Sequence, residues 1–187
     1  MAHTSVKGDP SFLWVGRLDK NKDPLLVVDC FLQWAKNNSS ACLYMIYQTN
    51  ELMPEMNTLL KNYPGWTNNL VLAGKIPRDE LVNWYSSADF YISGSHAESY
   101  GLSLCEAMSC GSIPVVTNIP SFRKMTGNGT CGILFEAGNK SSLLNALDCT
   151  ILTDINKERK ATLNYFKDYI SFESIAKRFE SIIDDEP

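Results

Sequence analysis

The sequence predicts an α/β fold: a doubly wound, mostly parallel six-stranded sheet with helices on both faces, followed by C-terminal helices. Short apolar runs rich in β-branched and aromatic residues alternate with longer amphipathic runs over residues 12–152, as repeated strand–helix–strand units require. At 187 residues and 44% hydrophobic content, the chain can bury one substantial core but not two full α/β domains. Beyond Leu152 the strand signal stops and a charged, helix-forming tail begins.

The first strand is expected at Phe12–Val15. Asp23-Pro24 then opens a helix over Pro24–Lys36, with aspartate as N-cap and proline in the first turn. A strand at Leu43–Ile46, a helix at Leu52–Asn62 and a strand at Leu70–Ala73 follow, each recognised by its apolar period. The next unit is a helix at Arg78–Ser86, a strand at Phe90–Ile92 and a helix at Leu102–Ser109, which Gly111 closes. Strands at Ile113–Val116 and Ile133–Phe135 complete the sheet, and Ser141–Leu152 is the last helix of the body. In the tail, Asn156–Tyr169 and Phe172–Ile183 read as helices, the second carrying Ile175, Phe179, Ile182 and Ile183 on one stripe. They are expected to pack on the body or on a surface that the chain lacks. The predicted organisation is an artificial start or severed linker (1–11), a Rossmann-like body (12–152) and a helical tail (153–187).

A net charge of −4 without any Lys/Arg block gives no footprint for nucleic acid or for an anionic membrane surface. Any bound anion must be held by local groups. There is no apolar run of about 18 residues and no signal-peptide pattern, so the expectation is a cytoplasmic chain without a transmembrane segment. Six cysteines without a CxxC pair read as buried free thiols in a reducing compartment, only Cys131 lying outside an apolar run. No metal site is expected.

In an open α/β sheet, ligands gather at the carboxyl ends of the strands. That rule selects Gly16-Arg17, Gly74-Lys75-Ile76 and Ser93–Gly101. In Ser95–Met108, Glu98 lies in the loop before a helix and Glu106 inside it, with seven residues between them. Between them, the amides of Gly101, Leu102 and Ser103 have no intrahelical partner and sit at the positive end of the helix dipole, a ready anion site. Glycine at 101 lets the backbone approach that anion closely. A nucleoside diphosphate sugar offers a diphosphate for the amides and hydroxyl pairs for the carboxylates. The ordinary alternative is a loop charge and a solvated helix position. Against it, Glu106 stands in an apolar run, and buried carboxylates are rare unless paired. In Val15–Asp23, Arg17 can fork onto phosphate oxygens and Lys22 adds a point charge, or both are surface-turn charges.

Other signals carry less. Gly127–Gly132 fits a dinucleotide fingerprint, but a helix precedes it and a strand follows, the reverse of what that motif needs. His96 could stand beside a sugar, yet no second ligand is near it in sequence, and no Ser-His-Asp set is present. The glycosylation triplets at Asn38 and Asn128 lack a secreted context.

Taken together, VGRLDKNKDP, LVLAGKIPRDEL, WYSSADFYISGSHAESYG, LCEAMSCGSIPVV and GTCGILFEAGN, in this order from about Phe12 to Leu152, resemble the retaining glycosyltransferases of the GT-B fold, the glycosyl transferases group 1 family. The resemblance implies that Arg17 and Lys22 meet the donor diphosphate and Glu98 the transferred sugar. It further implies that Glu106 meets the ribose hydroxyls, that amides around Ser99, Tyr100, Gly101, Leu102 and Ser103 meet phosphate beside Gly16, and that Lys75-Ile76 lie against the base. The chain departs from the family at Ser99, Asp23 and Tyr47-Gln48. It also implies a missing N-terminal acceptor-binding domain, through which the protein could be held at a membrane. No cofactor is required; the donor is a UDP-, GDP- or ADP-sugar. The alternatives are half of a non-hydrolysing sugar-nucleotide epimerase, which would epimerise donor without acceptor, and a non-catalytic nucleotide-binding module.

Overall fold

The computed structural model of the protein describes residues 6–184. Its six strands are β1 (Ser11–Gly16), β2 (Cys42–Tyr47), β3 (Leu70–Gly74), β4 (Phe90–Ser93), β5 (Ile113–Thr117) and β6 (Ile133–Phe135). All adjacent pairs are parallel, in the order β3-β2-β1-β4-β5-β6. The order reverses between β1 and β4, the doubly wound arrangement in which a crevice opens at the carboxyl ends of those two strands.

Two hydrophobic layers follow from the two-residue period of the strands. Phe12 and Trp14 point to one face, where α1 (Pro24–Ala35), α2 (Met53–Leu60) and α6 (Lys140–Ile151) supply Val27, Phe31, Trp34, Met56 and Leu143. Phe12 lies between the edge of Phe31 and the face of Phe90, with ring centroids at 5.3 and 5.1 Å. Each such fully buried side chain contributes about 1.5–3 kcal/mol. Leu13 points to the other face, toward α3 (Leu81–Ser87), α4 (Leu102–Ser109) and α5 (Pro120–Met125), which contribute Tyr85, Leu104, Met108 and Phe122.

The caps behave as the sequence predicts. Asp23, left-handed at φ 43°, accepts from the Leu26 amide, and Gly111 leaves α4 at φ 78°. Within the body, element bounds move by up to three residues, and the helix expected before Gly127 is α5, Pro120–Met125. The long tail helix breaks: α7 (Ile155–Tyr165) runs into a π turn at Phe166–Ile170 before α8 (Phe172–Asp184). Arg159 fastens α7 to the body by donating to the carbonyls of Ala88 and Ser86. The stripe of α8 is not buried there: Phe179, Ile182 and Ile183 are all exposed.

Part of the predicted 1–11 segment, residues 1–5, lies outside the described residues, and Ser11 already belongs to β1. All six cysteines are free, but Cys149 is exposed and Cys105 and Cys110 are half-buried. Cys131, set apart in the sequence, is buried under α5, where burial pushes its thiol up to about 12. Helix period rather than local hydropathy decides these outcomes: Leu104, Ala107 and Met108 take the buried side of α4 and leave Cys105 beside it.

Candidate functional site

The β1–α1 loop (residues 17–23) and the β4–α4 loop (residues 94–101) face each other across the point where the strand order reverses. They are stitched together. Asn21 donates its side-chain amide to the Ala97 carbonyl at 2.9 Å and accepts from the Ala97 amide at 3.1 Å, while the His96 amide donates to the Asn21 carbonyl at 2.8 Å. His96 Nε2 also stands 3.1 Å from Asp23 Oδ2. Gly94 permits this approach, because a Cβ there would lie 3.0 Å from Val27 Cγ2 and 3.2 Å from the Asp23 carbonyl oxygen. Sequence reasoning missed Asn21 and Gly94, whose roles depend on the facing loop.

The stitching brings Lys22 and Glu98 together: the lysine Nζ donates to Glu98 Oε1, and the side chains are only 18% and 14% exposed. Arg17 is 63% exposed and pairs through Nε with Asp19 Oδ2 at 3.0 Å. The other oxygen of Asp19 accepts from the Lys22 amide, so one carboxylate sets the turn that presents both cations. The single bond to Asp19 leaves other guanidinium donors of Arg17 facing the cleft.

That cleft, of about 260 Å³, is lined by Gly16, Arg17, Lys22, Gln48, Ile76 and Ser103. Lys75 is exposed and lines neither this cleft nor its neighbour. The neighbour, about 160 Å³ with Leu81 shared between them, is bounded by Arg78, Tyr85 and Glu106. Side by side, the two approach the roughly 300–1,000 Å³ of small-ligand sites.

Gly101 caps α4 in a left-handed conformation at φ 88°, without a side-chain cap. The first-turn amides of α4, those of Leu102 and Ser103 among them, therefore point out of the helix toward the crevice. The need for glycine at 101 is met from behind rather than by the anion: a Cβ there would lie 2.7 Å from Phe122 Cε1. Leu102 is exposed, Ser103 half-buried, and Ser99 and Tyr100 turn away into a different cleft.

Glu106 differs from its expected burial. Its side chain is 42% exposed, because the helical period puts it opposite Leu104 and Met108. It is nonetheless held: the Tyr85 hydroxyl donates to Oε2 at 3.1 Å, and Arg78 lies 3.9 Å from Oε1. Burial, then Tyr91 and Glu106, push the Tyr85 phenol far above its ordinary range, so it remains a neutral donor. Tyr91, buried beneath the site, is raised by burial and then by the Glu98 charge. The arrangement offers two cations and free helix amides for an anion, and two separately held carboxylates for hydroxyl groups. Among the described residues, no cluster of three or more His, Cys, Asp or Glu is placed to hold a metal, and no helix is long and apolar enough to cross a membrane.

Comparison with known proteins bears on the family and the fold. The family model described as "Glycosyl transferases group 1" matches residues 2–169. The D-inositol 3-phosphate glycosyltransferase of Paenarthrobacter aurescens is 36% identical over 69 residues, covering 37% of this chain and 17% of that protein. A glycogen synthase of Lacticaseibacillus casei is 27% identical over 154 residues, 78% of this chain and 31% of the synthase. The chain thus spans less than a third of the length of these curated relatives. Among solved structures, a mutant of S. aureus TarM in complex with Fondaparinux, alpha-GlcNAc-glycerol and UDP superposes with a TM-score of 0.80 at 16% identity, over 97% of this chain and 36% of TarM. Anabaena HepE, in complex with UDP and glucose, gives 0.77 at 16% identity, over 96% of this chain and 49% of HepE.

Proposed function

Because the chain belongs to the glycosyl transferases group 1 family, we propose that it is the donor-binding half of a retaining glycosyltransferase. Residues 12–152 form the donor-binding body and residues 153–187 its tail. The observation that carries the reading is the stitched pair of loops, which sets Arg17, Lys22 and Glu98 around the N-terminus of α4. A nucleoside diphosphate sugar lies across that crevice. Its diphosphate meets Arg17, Lys22 and the first-turn amides; its ribose hydroxyls meet Glu106; its base lies against Ile76. In the reaction, the bond from sugar to diphosphate breaks and the acceptor hydroxyl takes the sugar with retention. The cations and helix amides stabilise the leaving diphosphate, without a required metal, and Glu98 orients the sugar as oxocarbenium character develops.

The acceptor belongs to an N-terminal domain outside this chain, so the chain alone binds donor and turns it over poorly. The reading places the protein in the cytoplasm. TarM and HepE were both solved with UDP, which makes a uridine nucleotide the first donor to try. Saturation-transfer NMR of the chain against UDP-, GDP- and ADP-sugars tests the proposal. Transfer to nucleotide protons that Arg17→Ala diminishes supports it, and no transfer from any of the three overturns it.

A further inference from the structure

An apolar-walled cleft lies beside the donor site, not in it. With a volume of about 480 Å³, it is bounded by the Ser99-Tyr100 turn, by α5 through Ser121 and Lys124, and by the tail through Tyr165, Tyr169 and Arg178. Its composition is one-sided. Among the described residues, no aspartate or glutamate lines it, although the chain as a whole is acidic at −4, while two cations and three tyrosines do. Lys124 is exposed and has no hydrogen-bond or ion-pair partner among the described residues. Arg178 spends Nε and Nη2 on the carbonyls of Ser174 and Tyr169, which fixes its guanidinium and leaves Nη1 over. Ser121 Oγ is enclosed in the wall without any partner, an arrangement that folded proteins rarely tolerate unless something else completes it. The rings of Tyr165 and Tyr169 lie 4.7 Å apart, tilted by 31°, and give the cleft an aromatic side.

We propose that this cleft binds an anionic small molecule with a ring or apolar body, a phosphate ester being the simplest example, at a site separate from the donor crevice. The cations and the hydroxyl of Ser121 suit the anion, and the tyrosine pair suits the body.

The test is an NMR titration of the chain with phenyl phosphate, using phenyl glucoside as the uncharged control, first without and then with saturating UDP. The expected result is that phenyl phosphate moves the signals of Lys124, Tyr165 and Arg178 and still does so with UDP bound, while the glucoside does not. Lys124→Glu, an exposed position that no fold contact depends on, should weaken phenyl phosphate by about tenfold or more. An equal response to the glucoside, an unchanged affinity in Lys124→Glu, or no shift at these residues overturns the site. Displacement of phenyl phosphate by UDP also overturns it, since the cleft would then be part of the donor site. If UDP fails to bind the parent, the donor reading fails by itself, and the first titration still judges the anion site. Vesicles of phosphatidylcholine with phosphatidate identify the source of the ester. Lys124-dependent co-sedimentation assigns it to a lipid, and binding of phenyl phosphate without co-sedimentation assigns it to a soluble ester; both support the site.

Discussion

The ammonium of Lys22 rests on the carboxylate of Glu98, so the cation assigned to the donor diphosphate and the anion assigned to the sugar hold each other. Donor diphosphate and Glu98 therefore compete for one lysine. Glu98→Gln keeps the shape of the side chain and removes the competition. Affinity for a nucleoside diphosphate without sugar should rise by about 1 kcal/mol, roughly fivefold, while the extra affinity contributed by the sugar shrinks. Calorimetry with both ligands checks this, and a loss of diphosphate affinity would rule the competition out.

The same pair makes Lys22 and Arg17 unequal. Arg17→Ala removes an exposed guanidinium and should cost about 1.5–3 kcal/mol of diphosphate affinity. Lys22→Ala should cost at least as much, because it also leaves the Glu98 charge unmatched beside the phosphates. Adding Glu98→Gln to Lys22→Ala should restore part of the loss. Additive effects in this cycle would mean that the two side chains act separately.

Glu106 and Tyr85 should behave as one unit. If Glu106 accepts from ribose hydroxyls, Glu106→Gln weakens nucleoside diphosphate and nucleotide sugar alike, by about 1.5–3 kcal/mol. Tyr85→Phe removes only the hydrogen bond that holds Oε2, and should cost about 0.5–1.5 kcal/mol. In the double variant the second change should add little. A Tyr85→Phe loss that persists in full on the Glu106→Gln background would separate them.

Gly101→Ala tests the scaffold rather than the chemistry. Its φ of 88° is strained for alanine, and the new methyl group would meet the Phe122 ring. A loss of about 1–3 kcal/mol in denaturant unfolding is expected. Unchanged stability would mean that α5 yields more readily than its packing indicates.

The fold was legible because strand and helix periods are local properties: the Pro24 helix begins where the Asp23 cap places it, and the Leu102 helix ends before Gly111. The loops that carry Arg17, Lys22 and Glu98 were legible too, since each follows a strand that must be parallel. What stayed hidden is pairwise and long-range. Asn21 is 76 residues from Ala97, and nothing near it in sequence marks it as the link between the loops. Glu106 looked buried because its neighbours in sequence are apolar, whereas its neighbours in space are Tyr85 and the exposed Arg78. The cleft at Ser99 and Tyr100 depends on where a tail helix breaks, and a π turn leaves no plain signature in hydropathy.

Titration calorimetry of the chain with UDP, GDP and ADP, repeated on Arg17→Ala and Glu106→Gln, tests the central claim most directly. The account predicts that at least one nucleotide binds with one-to-one stoichiometry and that both substitutions weaken it by about tenfold or more. Absence of binding by all three nucleotides, or an affinity that neither substitution changes, would contradict a donor site between the β1–α1 and β4–α4 loops.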